Sequence, residues 1–170
     1  MIYYTSDLHL GSRRVIRVCG RPFASPEEMD EALIRGWNAR VGAEDTVYIV
    51  GDLMNGSADP AAYLDRLAGR KYLVIGNNDS LWMWKTDLKK YFGFAVNSAE
   101  IDDCGRRVSL CHCPPPAFGG QWLVYGHIHN YPGLPIRRQM QLLGNAFNAG
   151  VDVNSYRPAT LDELIAGRIV

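Results

Sequence analysis

The chain has 170 residues, 47% of them hydrophobic, and 18 basic side chains balance 18 acidic ones. That length suits one ordinary globular domain that buries a core without disulfide staples, and the neutral balance excludes a global field drawing the protein onto nucleic acid or an anionic membrane. The N-terminal residues lack the pattern of a secretory leader and no apolar run approaches a spanning length, so the expected location is cytoplasmic, with no membrane partner.

In chain order, Ile2 to Thr5 reads as a first buried strand, followed at once by Asp7-Leu8-His9. Arg13, Arg14, Arg17 and Arg21 come next. They form either a solvated face or a local phosphate clamp, Arg13 and Arg14 being the candidate substrate contacts, since guanidinium binds phosphate in bidentate fashion. A helix opens at Ser25 as N-cap, with Pro26 at its first position, Glu28 completing a capping box, and Met29, Leu33 and Trp37 at helical spacing. Val47 to Val50 is the second strand, ending in Gly51-Asp52, and a helix from Asp59-Pro60 carries Tyr63, Leu64 and Leu67. Tyr72 to Ile75 is the third strand, ending in Gly76-Asn77-Asn78-Asp79. Trp82-Met83-Trp84 then either covers a core edge or lines a base-stacking pocket.

Beyond Phe94 the pattern is strand-rich with few helical signals. Val108 to Cys111 runs into His112, and Trp122 to Tyr125 runs into Gly126-His127-Ile128-His129. Thr160 with Glu163 repeats the capping box before Leu164-Ile165. Alternation of strands and helices in the first half predicts an α/β domain spanning residues 1–170.

Every one of the five strands ends in a side chain able to bind metal, and strand carboxyl ends converge in a crevice in open α/β sheets. All four histidines of the chain, His9, His112, His127 and His129, fall in this set. Carboxylate, amide and imidazole donors together favour a borderline or hard divalent transition metal: manganese first, with iron, zinc or nickel as alternatives. Asp7, His9, Asp52, Asn77, His112, His127 and His129 outnumber the needs of one tetrahedral ion, and an aspartate can bridge two. Two ions suit phosphoester hydrolysis, where they activate water, orient in-line attack and offset phosphoryl charge. A thiolate zinc site at Cys111-His112-Cys113 is disfavoured, because no second cysteine pair exists; these thiols, Cys19 and Cys104 suit a reducing compartment.

The ordered motifs D-x-H, G-D, G-N-N-D, H and G-H-x-H resemble those of the calcineurin-like metallophosphoesterase family across almost the whole chain. The resemblance implies a four-layer α/β/β/α sandwich. It also implies that Asp7, His9 and His129 hold one ion, that Asn77, His112 and His127 hold the other, and that Asp52 bridges them. The segments Gly150-Val151-Asp152-Val153, Tyr156-Arg157-Pro158 and Arg21-Pro22-Phe23 are similar to short bacterial and phage-type members. One departure stands out: Asn78 occupies the position of the family's catalytic histidine. Asn78 still donates hydrogen bonds, so Asn78 and Asp52 are the candidate catalytic residues, with Asp79 or an ion-bound water left to protonate the leaving group.

The expected function is hydrolysis of a small phosphomonoester or phosphodiester by an ion-activated hydroxide. The alternative is a metal-binding domain of weak or no turnover that acts as a binding protein. Nucleic acid is a conceivable substrate that the neutral charge does not indicate. The sequence sets neither the oligomeric state nor the substrate.

Overall fold

A computed structural model of the chain describes residues 1–56, 58–131 and 133–167. Its first sheet is parallel throughout, in the order β1 (Ile2–Thr5), β2 (Thr46–Val50), β3 (Arg70–Val74), β4 (Phe92–Val96). The second runs β5 (Ser98–Asp103), β6 (Arg106–Cys111), β7 (Trp122–Tyr125), β8 (Ala146–Asn148). There β5 pairs antiparallel with β6, whereas β6, β7 and β8 are parallel.

The two-residue period of a strand sends alternate side chains to opposite faces, and that period separates the cores. Tyr3, Val47, Ile49 and Leu73 point to one face of the first sheet, where they pack with Met29, Leu33 and Trp37 of α2 (Pro26–Asn38). Their neighbours Tyr4, Val50 and Val74 point the other way and meet Val108, Leu110, Val124 and Phe147 of the second sheet. On the far face of that sheet, Leu123, Tyr125 and Ala146 pack with Met140 of a helix at Pro135–Leu142. Helix, sheet, sheet, helix is the four-layer α/β/β/α arrangement expected from the sequence. Truncating a wholly buried side chain such as Leu33 or Met29 to alanine costs about 2–5 kcal/mol.

The five predicted strands are all present, β1 and β7 with the expected ends and the other three with one or both ends shifted by one or two residues. Ser25 caps α2 by accepting from the Glu28 amide at 3.2 Å, but Glu28 reaches back to the amide of Ala24 rather than of Ser25, so the box is half formed. At the other end of the chain, Thr160 and Glu163 form the complete box. The helix expected from Asp59 stops at Leu64, and Leu67 is buried in the turn beyond.

Four helices went unpredicted. Ser12 caps the first, α1 (Arg13–Cys19), which closes on Gly20 at φ 63°. The short α4 (Ser80–Met83) and α5 (Leu88–Tyr91) follow α3 (Pro60–Leu64). The helix at Pro135–Leu142, α6, also went unpredicted in the stretch read as strand-rich; its N-cap is Leu134, which makes no side-chain cap, and it buries only Met140. The last helix is α7 (Leu161–Ala166). No helix among the described residues is long and apolar enough to cross a membrane.

Candidate metal centre

The parallel register of β1, β2 and β3 brings their carboxyl ends level, Thr5 beside Ile49 and Val50 beside Val74. Pairing continues past the strands, because the amides of Asp7, His9 and Leu10 donate to the carbonyls of Gly51, Asp52 and Leu53, each at 3.0 Å. In the second sheet Cys111 lies beside Tyr125, which levels His112 with the His127 loop. The sheets meet at the site through the bridge Ser6–Gly150. All seven predicted ligand side chains therefore gather at one place.

Their donor atoms sort into two groups around Asp52. On one side, Asp7 Oδ1 lies 4.0 Å from His9 Nε2 and 3.7 Å from His129 Nε2. On the other, Asn77 Oδ1 lies 3.1 Å from His112 Nε2 and 2.9 Å from His127 Nδ1. Asp52 Oδ2 stands between the groups, 3.6 Å from His9 Nε2 and 3.4 Å from His112 Nε2. Asp7, Asp52, His112 and His129 are all buried.

Close approach of these loops depends on glycine. A side chain at Gly51, whose φ is +87°, would collide with the His112 ring, and one at Gly126 would collide with Ser6 and Asp7. The glycine before a ligand thus makes room for a ligand from a neighbouring strand. The ligand residues carry strain in its place: Asp7, His9, Asp52, His127 and His129 have φ of 57°, 51°, 56°, 72° and 47°. Left-handed backbone at such residues costs on the order of 1 kcal/mol each or more, and such strain concentrates at functional sites.

The charges are equally unsettled. Asp7 is buried completely; Ser6 Oγ and the His127 amide satisfy Oδ2 at 2.7 and 2.9 Å, but Oδ1 has no hydrogen-bond partner. Burial pushes its carboxyl above the ordinary carboxylate range, against the pull of His129 and His112. His9 Nε2 is also buried without a partner, and burial lowers the pKa of this imidazole to about 4. Burial alone would raise the Asp52 carboxyl too, but His112 and the Asn78 amide hold it well below the usual range. Burial opposes charge on His112 and His129 as well; Asp52 nevertheless lifts His112 to about 8, and Asp152 lifts His129 to about 10. An orphan carboxylate oxygen and an orphan imidazole nitrogen, 4.0 Å apart, are what a divalent cation would satisfy. The residues present fit the metal ions that the sequence implied.

Asn78 sits against the shared carboxylate, its amide and Nδ2 donating to Asp52 Oδ1 and Oδ2 at 2.8 and 2.6 Å. Asp79 cannot protonate a leaving group: it is wholly buried and accepts from Asp52, Leu53, Gly76 and Trp82. Trp82 is core, and Trp84, although exposed, does not line the cleft over the site, which removes the base-stacking pocket. That cleft encloses about 830 Å³, lined by Arg13 and Arg14 together with His9, Asp52, Asn77, Asn78, His127 and His129. Arg17 does not line it, and Arg21 is buried in an ion pair, so neither belongs to a phosphate clamp.

The sequence reading missed one residue here. Asp152 accepts from His129 Nδ1 at 2.7 Å; its only signal was the Gly-Val-Asp-Val segment. Cys113, which the sequence reading set aside as part of a thiolate zinc site for want of a second cysteine pair, lies within reach of His112 and His127.

The fold and this centre are those of a metal-dependent phosphoesterase family. The chain belongs to the calcineurin-like phosphoesterases, whose family model matches residues 1–142. It is 30% identical to an uncharacterized protein of Methanocaldococcus jannaschii, over 96% of this chain and 89% of that one. The gene 66 protein of Mycobacterium phage L5 is 35% identical over 54% of this chain and 45% of its own length. Among solved structures, a protein of unknown function from Aquifex aeolicus superposes with a TM-score of 0.75 at 25% identity, covering 96% of each chain.

Proposed function

We propose that the protein is a binuclear phosphoesterase that hydrolyses a small phosphomonoester or phosphodiester. The observation that carries this reading is the place of Asp52 Oδ2, within 3.6 Å of His9 on one side and 3.4 Å of His112 on the other. Asp7, His9 and His129 would hold one ion, Asn77, His112 and His127 the second, and Asp52 would serve both. Manganese is the proposed ion, with iron, zinc or nickel as alternatives that the same carboxylate, amide and imidazole donors accept. Bound ions would lower the pKa of water and offset charge on the phosphoryl group.

The protein's own side chains have the remaining tasks. Arg13 and Arg14 line the cleft, are exposed, and their side chains hydrogen-bond no other described residue, which leaves both guanidinium groups for substrate oxygens. Asn78 Nδ2, which donates to Asp52, would serve as a donor to a non-bridging phosphoryl oxygen. An amide donates a hydrogen bond without transferring its proton, so the leaving group departs without an acid from position 78.

The test is hydrolysis of mono- and bis-nitrophenyl phosphate by purified protein loaded in turn with manganese, iron, zinc and nickel. Turnover that chelation abolishes is the expected result. Absence of turnover with every metal would overturn the reading in favour of a metal-binding protein without catalysis.

A further inference from the structure

Arg21 and Asp152 lie 131 residues apart and form an ion pair whose side chains are both fully buried. Arg21 Nε and Nη2 grip the two carboxylate oxygens of Asp152 at 2.7 and 3.0 Å. Of its remaining donors, Nη2 reaches the Asp7 carbonyl at 2.6 Å and Nη1 the Leu8 carbonyl at 2.8 Å, both in the first ligand loop, and Nη1 also meets Met29 Sδ of α2 at 3.3 Å. Asp152 spends its other bond on the non-ligating nitrogen of His129. One guanidinium thus ties the backbone that carries Asp7 and His9 to the carboxylate that orients His129.

Stability alone does not account for this arrangement. A buried ion pair is often no better for stability than apolar residues of the same volume. What is specific is where its hydrogen bonds lead: to the Asp7, His9 and His129 group and to no donor of the other group. His112, in that other group, is instead oriented by the Val50 carbonyl, 2.8 Å from Nδ1. Partners behind metal-binding imidazoles fix the ring and its tautomer, and removing one typically lowers metal affinity roughly 10- to 100-fold.

We propose that Arg21 and Asp152 are a positioning pair for one ion only, assembling the Asp7/His9/His129 side of the centre and leaving the Asn77/His112/His127 side unaffected. The proposal rests on the two-ion reading above. It also accounts for the two sequence segments that the ligand set leaves unexplained, Arg21-Pro22-Phe23 and Gly150-Val151-Asp152-Val153, as the two halves of one device.

The experiment is titration of manganese into metal-free wild type, Asp152→Asn and Arg21→Lys, followed by calorimetry and electron paramagnetic resonance. Lysine keeps the charge of Arg21 but not its forked geometry. Wild type should bind two ions with an exchange-coupled spectrum. Each variant should bind one ion as wild type does and the other roughly 10- to 100-fold more weakly, so that one equivalent gives an uncoupled spectrum. Where Asp152→Asn does not fold, judged by circular dichroism, Arg21→Lys carries the same expectation. Equal weakening of both ions, or of neither, in a folded variant overturns the proposal while the two-ion reading stands. A wild type that binds fewer than two ions overturns both.

Discussion

Asp79 holds Asp52 in place through the backbone: its Oδ2 accepts from the Asp52 amide at 2.9 Å and its Oδ1 from the Leu53 amide at 2.9 Å. The same carboxylate takes the Gly76 amide and Trp82 Nε1, so one buried side chain ties the second and third ligand loops to the core. In Asp79→Asn one of these oxygens becomes an NH₂ facing two N–H donors. The variant should lose about 2–4 kcal/mol of metal-free stability, since hydrogen bonds to a charged partner are worth roughly 1.5–3 kcal/mol each. Urea midpoints measure this, and an unchanged midpoint would contradict the assigned role.

The left-handed backbone at the ligands predicts an inverted order of substitutions. His127 is exposed with φ 72°, so its side chain contributes little burial. Without metal, His127→Gly should be more stable than His127→Ala by about 1 kcal/mol, because alanine keeps the strain and glycine removes it. Thermal melts in chelator decide the matter; alanine equal to or above glycine would mean that no strain resides there.

Protons and metal should compete with opposite pH dependence. Folded pKa values of about 8 for His112 and about 10 for His129 lie above the ordinary imidazole value, so these groups stabilise the metal-free fold fully below about pH 6.5. That contribution fades as pH rises through 8 and towards 10. Ion binding needs both rings deprotonated at the ligating nitrogen, so affinity should increase over the same range and proton release accompany loading. Calorimetry at pH 6, 7 and 8 in two buffers of different ionisation enthalpy reads both quantities. Affinity falling with pH would contradict this.

Asn78 predicts a dependence on leaving-group quality. On the proposed function, the protein should hydrolyse nitrophenyl esters far better than alkyl esters of comparable size, and Asn78→His should narrow the gap, since positioned acid catalysis is worth ~10² to 10⁴ in rate. Rates plotted against leaving-group pKa for both proteins give the comparison. Equal slopes would show that position 78 has no part in protonation.

That the seven candidate ligands would gather was legible in the sequence because the signal is local: each candidate follows an apolar run that ends in a turn, and that pattern survives without any knowledge of pairing. The four layers were implied by the resemblance of the ordered motifs to a known family, and the alternation of Tyr3/Tyr4 and Ile49/Val50 between two cores shows how the strands build them. The supporting residues were not legible. Arg21 looked like one more arginine of a basic run, and only its pairing with Asp152 across 131 residues reveals its task. Asp79 looked like a spare acid until its four N–H donors were in view. Backbone strain at Asp7 or His9 leaves no mark on the residue type. Helix α6 escaped notice because Leu134 offers no cap and the helix buries one side chain.

The central claim is that Asp52 serves two ions at once, and counting ions in Asp52→Asn tests it most directly. Metal-free wild type and variant would be titrated with manganese, and bound metal measured after removal of the excess. Two equivalents in the wild type and less than one in the variant is the predicted result, because loss of a shared carboxylate weakens both positions. Two equivalents retained by Asp52→Asn, with unchanged affinity, would contradict it.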